Sequence, residues 1–197
     1  MNANLEPQLA PPGAGLPKLE LQIARLLFAF KLRTGSRDAF NARFKRERET
    51  IQRLMYFLEE SDGARRVLIQ RPRGLEDSSR YWSVWMTLDH LRIIHNAVIR
   101  IITALTEGMA LPGQASTAAV KPDPDVTAAI VAGYEQSCDD LLAKVARAGD
   151  LNTAARFAHP WFGPLNAAGW HALAAQHLGL HRVQIERIIA GLRASQP

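Results

Sequence analysis

From Leu19 onward, apolar residues return every three or four positions, and no long run alternates apolar with polar as a half-buried strand does. The pattern predicts an all-α chain. The segment LELQIARLLFAFKLR is followed by a break at Thr34-Gly35-Ser36. Beyond it Phe40, Phe44, Ile51, Leu54, Met55 and Leu58 recur at helical spacing, with Ser36 placed as an N-cap. These two stretches form one interrupted helical arm. A second helix is expected from Ser83 to Thr106, a third from Asp125 to Ala148 with Gly149 stopping it, and a fourth from Asn166 to Arg193. Four helices of this length suit a four-helix bundle.

The stretches between the helices carry topology as well. SDGARRVLIQRPRGLEDSSR, with two glycines and a proline around VLI, reads as an ordered loop holding one extended piece over an end of the bundle. GMALPGQASTAAVKPDPD is far longer than adjacent antiparallel helices need, so it is expected to carry the chain from one end of the bundle to the other. A crossover between the second and third helices follows. Residues 1–17, rich in Pro, Gly and Ala, read as a flexible tail, leaving 18–197 as a single domain.

Composition narrows the function classes. A chain of 21.8 kDa suits one core. The formal charge of +5 is modest, and there is neither a helix-turn-helix pattern nor a basic stripe interleaved with aromatics, so a nucleic-acid partner is not expected. The N-terminus lacks a basic segment followed by an apolar one, and LLFAF and AVIRIITAL are too short or too charged to span a bilayer; a cytoplasmic protein without a membrane partner is expected. One cysteine, Cys138, excludes an internal disulfide and any multi-thiolate zinc site, so a metal would need histidines and carboxylates. The acidic sequence after Cys138 disfavours a thiolate and assigns it to packing.

Six histidines are present, and helical geometry sorts them. On the fourth helix the apolar stripe runs through Trp170, Ala174, Ile185, Ile188 and Leu192, with His177 and His181 at its centre and His171 on its flank. On the second helix Met86, Ile94, Ala97, Ile101 and Leu105 form the stripe, with His90 in its middle and His95 well off it. HxxxH alone is a weak signal in a chain with this many histidines. A lone inward histidine is often only a satisfied core residue. Three at stripe centres are better served by one divalent cation, which satisfies three ring nitrogens at once and leaves a position open for water or substrate.

The segments YWSVWMTLDHL and HPWFGPLNAAGWHALAAQHLGLHRVQIERI resemble the two signature regions of the DinB/YfiT-like superfamily of metalloenzymes. The resemblance covers most of the chain after the tail. It implies a four-helix bundle with a long crossover, His90 as first metal ligand, His177 and His181 as second and third, and a homodimer. Its characterised relatives include transferases for low-molecular-weight thiols and a thiol-dependent isomerase. The implied function is a divalent-metal-dependent S-transferase using a low-molecular-weight thiol, or a related hydrolase, acting on a small molecule. The alternative is a non-catalytic ligand-binding or stress-response bundle. Zn, Ni, Fe and Mn all accept imidazole ligands. The chain departs from the family's pattern at Gly169, where Glu or Gln would complete a capping box.

Further candidates are less sharply marked. The third helix offers Tyr134, Ser137, Glu135 and Asp139 near its inward face for a general base, none singled out by spacing. Asp89 adjoins His90 in sequence but points to another face. Arg65, Arg66, Arg71 and Arg73 could receive a carboxylate of a thiol cofactor or substrate, or serve as surface charge. The run RFKRERE neutralises itself and reads as an exposed face. Trp82, Trp85, Trp161 and Trp170 gather at the starts of the second and fourth helices as core residues and as candidate walls of a pocket over the metal.

Overall fold

The computed structural model describes residues 6–194 and is mainly helical. In chain order α1 is Lys18–Thr34, α2 Arg37–Met55, α3 Glu60–Ala64, α4 Val84–Thr106, α5 Ile130–Arg147 and α6 Ala167–Ala194. The break between α1 and α2 falls where the sequence places it, with the Ser36 hydroxyl accepting from the Ala39 N–H. Ser83 caps α4 in the same way through the Met86 N–H. Asn166 caps α6 through the Gly169 N–H at 2.9 Å. Glycine at 169 has a packing reason, since a Cβ there would stand 3.1 Å from Leu165 Cβ. The family's capping box gives way to a close approach of the preceding strand.

Cross-helix contacts give the topology. Asn41 meets His171 and Glu47 meets Arg182, so α2 and α6 run parallel. Arg37 reaches the carbonyl of Ala148 and Arg48 reaches Glu135, so α5 runs against α2. His95 meets Ser137 and Gly133 faces Arg92, which sets α4 parallel to α5. Parallel neighbours need the chain to travel back between them, and the expected crossover does so. After Thr106 the connector reaches the Val120 carbonyl beside His90 and the Asp123 N–H beside Asp89, near the start of α4. The core lies between these four helices, with Phe44, Ile51, Leu88, Leu91, Ile102, Leu141, Leu178, Ile185 and Ile188 fully buried.

Several details differ from the periodicity reading. α5 starts at Ile130 rather than Asp125, because the Asp123 carboxylate takes the Asp125 N–H in a local turn around Pro124. Two small hairpins lie outside the helical pattern. β1 Val67–Leu68 pairs with β2 Tyr81–Trp82, which realises the extended piece expected around VLI. β3 Phe157–His159 pairs with β4 Gly163–Leu165, and Gly163 at φ +71° turns the chain into the second strand. Strands this short leave no measurable alternation. The run RFKRERE is less exposed than expected: Arg48 ion-pairs with Glu135 and Asp139 of α5, and Glu47 with Arg182 of α6. Within the expected tail, Ala10 N–H donates to Asp77 and Gly13 N–H to Glu76, so residues 6–17 run against the loop before α4.

Candidate metal centre

The three histidines at the stripe centres meet. His90 projects from the first turns of α4, and His177 and His181 lie one helical turn apart on α6, which runs antiparallel beside it. His177 Nε2 stands 3.3 Å from His90 Nε2 and 3.1 Å from His181 Nε2. One ligand atom from each ring lies within 4.8 Å of the other two, a grouping that could hold a metal ion.

The outer ring nitrogens determine what the inner ones can do. His90 Nδ1 lies 2.6 Å from the Val120 carbonyl, and a carbonyl only accepts, so the proton is on Nδ1 and the lone pair on Nε2. His181 Nδ1 lies 2.6 Å from Gln184 Oε1. The Gln184 amide is oriented by its own Nε2, which donates to the Ser79 carbonyl at 2.8 Å, so His181 is likewise protonated on Nδ1. Two lone pairs therefore face His177 Nε2 in a buried space, and a single N–H from His177 satisfies only one of them. His177 Nδ1 is itself buried without a hydrogen-bond partner. A divalent cation satisfies all three nitrogens, and carbonyl-oriented imidazoles are the arrangement seen around bound metals. The residues fit a metal.

Electrostatics agree with neutral ligands. Burial pushes the His90 pKa down to about 4, with the Val120 carbonyl opposing. Burial and the neighbouring imidazoles push His177 and His181 well below the usual histidine range. All three keep their lone pairs at neutral pH. Trp82 lies parallel to the His181 ring at 6.2 Å between centroids and backs the cluster from the hairpin side.

The cluster opens into a cavity of about 440 Å³, within the range that takes one small molecule. Ile94, Ala97, Val98, Ile101, Leu111, Phe157, Trp161, Trp170 and Leu173 give it apolar walls. Of the four tryptophans, Trp161 and Trp170 line it, while Trp85 turns away to donate to the Glu60 carbonyl. Glu76, Lys121 and Arg100 are its charged members. Glu76 is 6% exposed and pairs with Lys121 at 3.1 Å. Burial raises its pKa, but hydrogen bonds from Thr117 and Lys121 outweigh this and hold it below the usual carboxylate range.

Other candidates fall elsewhere. Tyr134 and Ser137 are buried between α4 and α5, and Glu135 and Asp139 are engaged by Arg48, so none of the α5 residues lines the cavity. Arg71 is held by Glu20, Arg65 by Asp62 and Arg66 by Glu6. Arg73 lines a second cavity, a smaller one of about 270 Å³ that shares His159 and His177. Asp89 binds Arg92 and the Asp123 N–H, away from the histidines. Cys138 is fully buried, and burial pushes its thiol up to about 12, in keeping with packing.

Three participants, Glu76, Lys121 and His159, escaped the helical pattern because none lies on a stripe with the ligands or is near them in sequence; a fourth, Gln184, was missed although it shares α6 with two of them. Glu76 and Lys121 come from loops on either side of α4. Gln184 was three residues from a ligand and within reach of the i,i+3 rule. His159 sits in β3 and lines the cavity; its Nδ1 accepts from the Trp161 N–H at 3.1 Å, so its proton is on Nε2.

The DinB superfamily profile matches residues 43–185, a span that includes all three histidines and the core of the bundle. The chain belongs to the DinB superfamily. Among solved structures, the crystal structure of TT2238, a four-helix bundle protein, resembles this DinB chain with a TM-score of 0.55 at 22% identity, covering 77% of this chain and 98% of that one. At that identity the likeness speaks for the fold. No curated protein matches the sequence. No helix among the described residues is long and apolar enough to cross a membrane.

Proposed function

We propose that this DinB protein is a divalent-metal-dependent enzyme with His90, His177 and His181 as ligands, acting as a thiol-dependent S-transferase or a related hydrolase on a small molecule. The observation that carries the reading is the convergence of three Nε2 atoms, those of His90 and His181 with their protons held on the far side by the Val120 and Gln184 carbonyls. When bound, a divalent ion supplies an open position that lowers the pKa of a thiol or water reaching it. The chain's own residues do the rest. His90 and His181 stay neutral and fixed in orientation. The apolar walls keep water from the reacting end, and Glu76, the one carboxylate lining the cavity, is the group able to receive a proton there. His159 offers its Nε2–H to a substrate oxygen.

Metal content by inductively coupled plasma mass spectrometry tests the reading. Near-stoichiometric metal in the wild type, lost in both His90→Ala and His177→Ala, supports it. A wild type that stays metal-free after reconstitution with Zn, Ni, Fe or Mn moves the protein to a non-catalytic ligand-binding bundle.

A homodimer in the cytoplasm belongs to the same proposal. Its support is α1, where Leu19, Ile23, Leu26, Leu27 and Phe30 are exposed at helical spacing on one face. Leu26→Glu with Phe30→Glu is expected to convert a dimer to a monomer in light scattering, whereas an unchanged mass places any interface elsewhere.

A further inference from the structure

The cavity has two chemically different ends joined by one helix face. His90, Ile94, Ala97 and Ile101 succeed one another along α4, and all four line the cavity. From His90 to Arg100 is ten residues, so the two lie roughly 15 Å apart along the helix axis. The wall between them is Ile94, Ala97 and Val98, faced by Leu173 and Trp170. A slot of that length with apolar sides suits an elongated apolar body better than a compact polar one.

Charge then distinguishes the ends. Glu76 and Lys121 neutralise each other at 3.1 Å, which leaves Arg100 as the uncompensated charge among the cavity residues. No hydrogen bond or ion pair engages Arg100 among the described residues, in contrast to the loop arginines Arg65, Arg66 and Arg71. It is also exposed, so an anion beside it keeps part of its hydration and avoids the cost of burying a charge. A guanidinium pairs with a planar carboxylate through two parallel N–H donors, and one cation matches one negative charge.

We propose that the cavity binds an elongated apolar monocarboxylate, a medium-chain alkyl or aryl-alkyl acid. Its carboxylate pairs with Arg100 at the water-facing rim, its chain lies along Ile94, Ala97 and Ile101, and its far end reaches the three histidines. That the histidine end is the reacting end rests on the metal-enzyme reading; the orientation of the ligand does not.

Dodecanoate, dodecanol and dodecyltrimethylammonium are the probes, titrated against wild-type protein and variants by calorimetry and by quenching of tryptophan fluorescence, with metal content measured on each sample. Dodecanoate is expected to bind about tenfold more tightly than dodecanol, as one charge-assisted hydrogen-bonded pair at an exposed rim allows. Arg100→Gln should erase that preference and leave dodecanol unchanged, and Ala97→Trp, blocking the slot midway, should abolish both with helicity retained. Equal binding of acid and alcohol, no binding of either, or a dodecanoate affinity that Arg100→Gln leaves intact would overturn the proposal. Dodecanoate binding that survives Arg100→Gln but disappears in His177→Ala puts the carboxylate at the histidines, which also overturns it. Arg100-dependent binding to protein that stays metal-free after reconstitution upholds this proposal while removing the metal-enzyme reading.

Discussion

Two buried histidines stand five residues apart on α4 and do different things. His90 faces α6, where its Nε2 joins those of His177 and His181 and its Nδ1 is fixed by Val120. His95 faces α2 and α5, where its Nδ1 meets the Ser137 hydroxyl at 3.0 Å, Cys138 lies at 3.7 Å, and Phe44 and Tyr134 pack around the ring. Burial depresses both, His90 to about 4 and His95 to about 3. Burial and a shifted pKa therefore do not distinguish a candidate ligand from a core residue. The distinction lies in where the remaining lone pair points: toward other lone pairs at His90, into the packed core at His95. Five residues turn the helix by about 140°, enough to put the two rings on different interfaces.

The sharpest way to break this comparison is to remove one residue from each site. His181→Ala is expected to lower bound metal from near one per chain to background by mass spectrometry, whereas His95→Ala should keep it. If His95→Ala also empties a correctly folded protein, the two sites are not independent. A smaller effect is expected at Gln184→Leu, which leaves all three rings in place but removes the carbonyl that fixes His181 Nδ1. Metal affinity should fall about 10- to 100-fold in competition with a chromophoric chelator, the usual effect of losing an outer partner.

Stability gives the reverse contrast. His95→Ala opens a hole against Phe44 and Tyr134 and removes the hydrogen bond to the Ser137 hydroxyl, which keeps its bond to the Tyr134 carbonyl, a cost of about 2–4 kcal/mol in urea denaturation. The least pronounced effect concerns acid. The folded pKa of His95 is about 3, against about 6.5 in an unfolded chain. Below pH ~6.5 the unfolded chain takes up a proton that the folded one refuses. The stability of keeping His95 neutral is therefore complete above pH ~6.5 and declines as pH falls through the window toward 3. In metal-free protein His95→Gln should lessen the loss of melting temperature between pH 7 and 5. Equal losses in wild type and variant would mean that His95 is not excluded from water in the folded state.

Much of the bundle was legible because helices report themselves locally. The caps at Ser36 and Asn166, the start of α4 at Ser83, the crossover between α4 and α5 and the inward positions of His90, His177 and His181 all follow from spacing and short-range chemistry. The resemblance to the DinB/YfiT-like superfamily joined these into one fold, as the profile match over residues 43–185 bears out. The α5 residues and the loop arginines were misleading as site candidates, because titratable side chains near a helix face carry no sign of who will pair with them. Arg48 had already claimed Glu135 and Asp139, and Glu20 had claimed Arg71.

By itself the sequence determined the helices, their caps, the long return between α4 and α5, and the face each histidine occupies, since these depend on the 3.6-residue period and on contacts within a turn or two. Only the tertiary structure decided that three Nε2 atoms meet, that the outer protons of His90 and His181 rest on carbonyls from a crossover and a glutamine, that Glu76 neutralises Lys121, and that Arg100 is left unpaired at the cavity rim. Those relations join residues that are far apart in the chain, and no local periodicity records which distant group a side chain will meet once the helices pack.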